Sequence, residues 1–129
     1  MHIDDLDTPV AVIDLDRLER NIARFQEYLN RHGIANRPHI KTHKIPQIAR
    51  MQMTAGAIGI TCQKLGEAEV MADAGIDDIF IPYNIVGAAK LERLTTLARR
   101  VRLSVAADSA AVVAGLGNAM AGTGLELTV

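Results

Sequence analysis

The stretch AIGITCQKLGEAEVMADAGIDDIFIPYN, residues 57–84, decides the fold. It opens on a β-rich run, AIGITCQ, passes into a helical stretch, LGEAEVMADAG, that stops at Gly75, and returns to a second β-rich run, DDIFIPYN. The same alternation extends in both directions. Downstream, GAAKLERLTTLARR reads as a helix, RLSVAAD as a strand, SAAVVAGLGNAMAGTG as a helix, and LELTV as the start of another strand. Upstream, KIPQIARMQMTAG reads as a helix with Pro46 in its first turn, where a missing N–H costs little. RPHIKT before it is an extended candidate. Further upstream, DRLERNIARFQEYLNRHG carries Leu18, Ile22, Phe25 and Leu29 near helical spacing, with Asp16 as expected N-cap and Gly33 as stop. PVAVIDL, residues 9–15, is the first β-rich run. Units of roughly 20 to 25 residues in strand–helix order are the signature of a parallel α/β architecture, either a barrel or a doubly wound sheet.

The strand faces choose between these. Gly59, Thr61 and Gln63 share one face of the first strand in the stretch, and Ile60 and Cys62 the other. Ser104, Ala106 and Asp108 oppose Leu103, Val105 and Ala107, and His39 and Lys41 oppose Ile40 and Thr42. The same phase points Phe80, Pro82 and Asn84 inward. One face is apolar and suited to lie under helices. The other turns polar toward the strand's C-terminal end, as in a β/α barrel whose active site lies at that mouth. A closed barrel needs eight strands, more than this chain supplies, and the chain ends on the β-rich LELTV. The expected architecture is therefore a partial (β/α)8 TIM-like barrel. Residues 1–129 would be the N-terminal part of a longer enzyme, or else a half-barrel that pairs with a second chain.

Composition narrows the function classes. Apolar residues make up 49% of the chain, as in a globular fold. A formal charge of −1 gives no footprint for nucleic acid or an anionic membrane, and 3% aromatics without Trp leaves no base-stacking platform. Cys62 is the single cysteine and fits a reducing compartment. The acidic start, MHIDDLDTPV, has no signal-peptide pattern, and no apolar run reaches membrane-span length. A cytoplasmic protein is expected.

The chemistry concentrates in NRPHIKTHKIP, residues 36–46, which crowds Arg37, His39, Lys41, His43 and Lys44. A lysine on an inner strand face is costly unless it has a partner or a task. Desolvation and neighbouring cations lower an amine's pKa, and only the neutral amine attacks a carbonyl, as a Schiff-base lysine must. Pyridoxal phosphate is the commonest cofactor held that way. The plain alternative for Lys41 is a solvated strand-end residue. His39 reads equally as a barrel wall or a catalytic group, His43 as a helix-cap neighbour in preference to a second-sphere proton carrier, and Lys44 as a solvated helix start. Gln63 reads equally as a cofactor-pocket residue or a polar strand end capping LGEAE, and Asn84 sits at an analogous strand end. Asp108 reads as an N-cap, Glu67 and Glu69 as helix N-terminal carboxylates with no catalytic role, and Cys62, Met51 and Met53 as core.

These residues also carry a resemblance. LDTPVAVIDLDRLERNI, RPHIKTHK and GITCQKLGEAEVMADAGIDDIFIPYNIVG together resemble the N-terminal part of the D-threonine aldolase and D-serine dehydratase family, pyridoxal phosphate enzymes of the alanine racemase-like fold type. PHIKTHK is the specific part, and TCQKLGEAE favours the aldolase side. The resemblance implies that Lys41 bonds the cofactor at the end of the first barrel strand; the strand faces and strand ends offer His39, Gln63 and Asn84 as its expected cofactor-binding neighbours. It implies a D-3-hydroxy amino acid substrate cleaved to glycine and an aldehyde. Dehydration, racemisation or cofactor carriage without turnover are the alternatives. It also implies a β-rich C-terminal domain holding a divalent metal (Mn, Mg or Zn), a pyridine-facing arginine and a phosphate loop, all outside these residues, and a homodimer.

Overall fold

The computed structural model describes residues 2–129. The helices are α1 (Leu15–Arg31), α2 (Pro46–Ala55), α3 (Leu65–Asp73), α4 (Ala88–Ala98) and α5 (Ala110–Met120). The strands are β1 (Ile60–Thr61), β2 (Asp78–Ile81) and β3 (Arg102–Val105). All strand pairs are parallel, and their order across the sheet, β1-β2-β3, is their order in the chain. A doubly wound sheet reverses strand order at its switch point, whereas a β/α barrel adds each strand beside the last. The fold is thus α/β with the arrangement of a barrel arc.

Register makes the inner face explicit. Thr61 pairs with Phe80 and Phe80 with Ser104. Isolated parallel bridges extend this row to His39 on one side and Thr128 on the other. His39, Thr61, Phe80, Ser104 and Thr128 therefore lie side by side on one face. The opposite face carries Ile60, Ile79, Ile81, Leu103 and Val105, all buried. They pack in one core with Leu65, Ala68 and Met71 of α3, Leu94 and Leu97 of α4, and Val112 and Leu116 of α5. Burying each large aliphatic side chain is worth about 1.5–3 kcal/mol, which makes this face the main determinant of where the helices lie.

Several local expectations are corrected. PVAVIDL forms no strand: residues 10–14 are irregular and exposed, because no neighbouring backbone offers them a ladder. RPHIKT is not a full strand either. The carbonyls of Asn36 and Pro38 accept from the N–H groups of Ile58 and Thr61, at 2.8 Å each, but Pro38 has no N–H to return to the ladder. Only the His39 bridge results, and the chain then tightens into a 3-10 turn, Ile40–Thr42. LELTV likewise contributes only the Thr128 bridge.

The cap of α1 is Asp14, whose carboxylate accepts from the Arg17 N–H at 3.0 Å, rather than Asp16. Ser109, not Asp108, caps α5. Phe25 is 56% exposed while its neighbour Gln26 is buried, hydrogen-bonded to Asn30 and Asn36. Gly33 follows α1 in the left-handed conformation, φ 65°, and Pro46 opens α2.

Candidate functional site

The C-terminal ends of the strands lead into the loops that carry the candidate residues. Lys41 sits in the 3-10 turn beside the end of β1, not on a strand, and its side chain is exposed rather than desolvated. The turn is fixed from below by Ile40, fully buried in the core. It is closed by the His43 and Lys44 N–H groups, which both donate to the Ile40 carbonyl, at 3.2 and 2.8 Å. His39 is half-buried, and its Nδ1 accepts from the Lys41 N–H at 3.3 Å. Among the described residues Lys41 forms no ion pair, so its amine is available to a ligand.

The basic cluster of the sequence comes apart in three dimensions. Arg37 is at the other end of the sheet, where its Nη1 lies 2.6 Å from Oδ1 of the buried Asp78. Arg102 pairs with the second oxygen of the same carboxylate. Burial pushes the Asp78 carboxyl up, but the hydrogen bonds and charges of the two arginines outweigh it and hold it below the ordinary aspartate range. His43 is half-buried, with Nδ1 accepting from the Ile45 N–H at 3.0 Å, and burial holds its imidazole below the ordinary histidine range.

Lys44 is not simply solvated. Its backbone is left-handed, φ 54°, and its Nζ lies 3.1 Å from Oε1 of Glu67. Glu67 is 8% exposed, and its Oε2 accepts from the Gln63 N–H at 2.8 Å. Burial raises this carboxyl, but the Gln63 N–H, the Lys44 ammonium and the Lys64 charge together bring it below the ordinary glutamate range. Sequence reasoning gave Glu67 only a dipole role. The missed signal was its position: a glutamate at the third residue of a helix can reach back to the preceding backbone, as in a capping box. Glu69 behaves as expected for a surface carboxylate, paired with Arg93.

Gln63 and Asn84 are brought together. Both line a cleft of about 540 Å³ between the loops that follow β1 and β2, with Gly66, Tyr83, Lys90 and Arg93 among its walls. Lys41 and His39 do not line it and lie on the adjoining turn. Cys62 is fully buried, and burial followed by the Glu67 charge pushes its thiol up to about 12, which leaves it an inert core residue. Among the described residues no group of three or more His, Cys, Asp or Glu side chains is placed to hold a metal, and no helix is long and apolar enough to cross a membrane.

Residues 13–129 match the family model described as alanine racemase, N-terminal domain. The chain belongs to the alanine racemase N-terminal domain family. Within this family the chain is 44% identical over 124 residues to a D-threonine aldolase of Arthrobacter sp., covering 96% of this chain and 33% of that protein. It is 44% identical over 115 residues to the D-threo-3-hydroxyaspartate dehydratase of Delftia sp., covering 85% of this chain and 30% of that one. The crystal structure of D-threonine aldolase from Filomicrobium marinum superposes with a TM-score of 0.94 at 42% identity, over 97% of this chain and 34% of that one. The chain spans about a third of the length of the relatives it matches.

Proposed function

We propose that residues 1–129 form the N-terminal part of the cofactor barrel of a pyridoxal phosphate-dependent lyase acting on D-3-hydroxy amino acids, with retro-aldol cleavage to glycine and an aldehyde as the reaction. The observation that carries this reading is Lys41. Its amine is exposed and, among the described residues, forms no ion pair, on a turn that is hydrogen-bonded and core-anchored beside the end of β1, the mouth at which β/α barrels do their chemistry. Among the residues present, the donor set fits the cofactor's aldehyde: a primary amine held by its backbone, with an imidazole next to it. Pyridoxal phosphate, when bound, supplies a carbonyl for that amine and an electron sink for the substrate.

The chain's own residues have definite tasks. His39 fixes the Lys41 backbone through Nδ1, which in the neutral ring places the proton on Nε2, available to a bound group. Lys41 would hold the cofactor through Nζ, and the same nitrogen would take or return a proton once free of it. Gln63 and Asn84 offer amide donors and acceptors from adjoining loops to orient polar groups of the ligand. The phosphate cup, the pyridine-facing arginine and the divalent metal that would hold the substrate hydroxyl are assigned outside these residues. The likeness to both an aldolase and a dehydratase supports the shared substrate class, and TCQK, residues 61–64, favours the aldolase. A homodimer in the cytoplasm is part of the same reading, and one buried cysteine is consistent with a reducing setting.

The test uses the complete polypeptide encoded by the reading frame. It should show the visible absorbance of lysine-bound pyridoxal phosphate and release glycine from D-threonine, and Lys41→Ala should lose both. Retention of the band in Lys41→Ala, or borohydride fixation of the cofactor on another lysine, would overturn the assignment.

A further inference from the structure

We propose that Glu67 is a positioning residue that holds the Lys41 turn against the loop carrying Gln63. The proposal rests on the assignment of Lys41 above and extends it to residues that do not themselves touch the cofactor. Two elements must keep a fixed separation for Lys41 and Gln63 to serve one ligand: the 3-10 turn after the His39 bridge and the loop between β1 and α3. No ladder joins them, since β1 ends at Thr61 and the bridge at His39. One buried carboxylate spans the gap. Its Oε2 takes the Gln63 N–H at 2.8 Å, and its Oε1 takes the Lys44 ammonium at 3.1 Å.

Lys44 in turn closes the Lys41 turn through its own N–H to Ile40. The Lys44 backbone adopts φ 54°, a conformation that non-glycine residues adopt at a cost. That geometry aims the side chain at Glu67 of α3. Glu69, two residues on, provides an internal contrast: it pairs with Arg93 on α4, away from the turn. A merely structural role in anchoring α3 would belong to both glutamates, whereas a role in placing Lys41 belongs to Glu67 alone.

The experiment follows how fast apo-protein, prepared from the complete polypeptide, takes up pyridoxal phosphate at Lys41. Aliquots are fixed with borohydride at timed intervals and the Lys41 peptide is quantified by mass spectrometry. Glu67→Gln keeps an oxygen for the Gln63 N–H but removes the charge, and Lys44→Met removes the other half of the pair. Both should slow labelling on the order of tenfold or more, the scale expected when a reacting group is misplaced by a fraction of an ångström to an ångström. Lys44→Arg should restore most of the rate, and Glu69→Gln should match the unmodified protein.

A wild-type rate in Glu67→Gln and Lys44→Met overturns the proposal while leaving Lys41 assigned. An equal slowing in Glu69→Gln also overturns it, because the effect would then belong to α3 as a whole. A wild-type protein that acquires no group on Lys41 overturns the underlying assignment, and this proposal with it. Should Glu67→Gln fail to fold, the Lys44 pair of variants decides alone, since Lys44 is exposed.

Discussion

Gly59→Ala should be among the most destabilising single-methyl additions in this chain, and the reason lies at the end of the sheet opposite Lys41. A Cβ built on Gly59 would stand 2.2 Å from Nη1 and 2.8 Å from Cζ of Arg37, and 2.8 Å from the carbonyl oxygen of Asp78. Carbon prefers non-bonded neighbours at about 3.5–4.0 Å, so something must move. The guanidinium is the softer obstacle, but it is held 2.6 Å from the buried Asp78 carboxylate. Swinging it away forfeits a charge-assisted hydrogen bond worth about 1.5–3 kcal/mol and leaves Asp78 with only the exposed Arg102. The Asp78 carbonyl cannot swing, and separating β1 from β2 to accommodate it adds an overpacking cost of about 1–3 kcal/mol.

The expected total is about 3–5 kcal/mol. Amide hydrogen exchange at Cys62, whose N–H bonds the Phe80 carbonyl between these strands at 2.8 Å, reads it locally. At a factor of ten for each ~1.4 kcal/mol, exchange should accelerate by about a hundred- to a few thousandfold. In an Arg37→Ala background the same Gly59→Ala change should cost only the overpacking part, a coupling of about 2 kcal/mol. An acceleration below tenfold, or an equal cost with and without Arg37, would refute the account.

Acid should weaken the fold in two stages. His43 has its folded pKa below the ordinary histidine value, so its contribution is complete above about pH 6.5 and is lost as the pH falls from there. Glu67 and Asp78 are likewise depressed. Their contributions hold above the ordinary carboxylate range and are lost as the pH drops below about 4 through their folded values. Melting temperature against pH should show both steps, with the upper one absent in His43→Gln. At the start of α1, Asp14→Ala should cost about 1 kcal/mol and Asp16→Ala no more than about half of that, measured by exchange of the Arg17 and Leu18 amides; the reverse order would contradict the cap assignment.

Most of the architecture was legible because it is written in local patterns. Helical spacing, a glycine or proline at boundaries such as Gly33, Pro46, Gly56, Gly75 and Gly87, and the alternation of Ile60, Ile79, Ile81, Leu103 and Val105 against smaller or more polar partners fixed element order and the buried face. The same alternation placed Thr61, Phe80 and Ser104 on one inner row, as their register bears out. It did not reveal that PVAVIDL lacks a partner strand, because β-propensity says nothing about whether a neighbouring backbone is present. Nor did it show that Lys41 stands on a turn. That depends on Pro38 being unable to donate to the β1 ladder, a matter of pairing rather than propensity.

The sequence alone, then, determined the parallel α/β order and the face that becomes core, since each follows from residue type and short-range periodicity. Only the tertiary structure decided what the basic run NRPHIKTHKIP is for. Arg37 goes to Asp78 at one end of the sheet, and Lys44 goes to Glu67 at the other. Among the described residues Lys41 is left without an ion pair, on the same turn as Lys44 and next to His39. The partners lie 41 residues from Arg37 and 23 from Lys44 along the chain. Charges that crowd together in sequence were sorted by which buried carboxylate each could reach, and that reach exists only once the strands have paired.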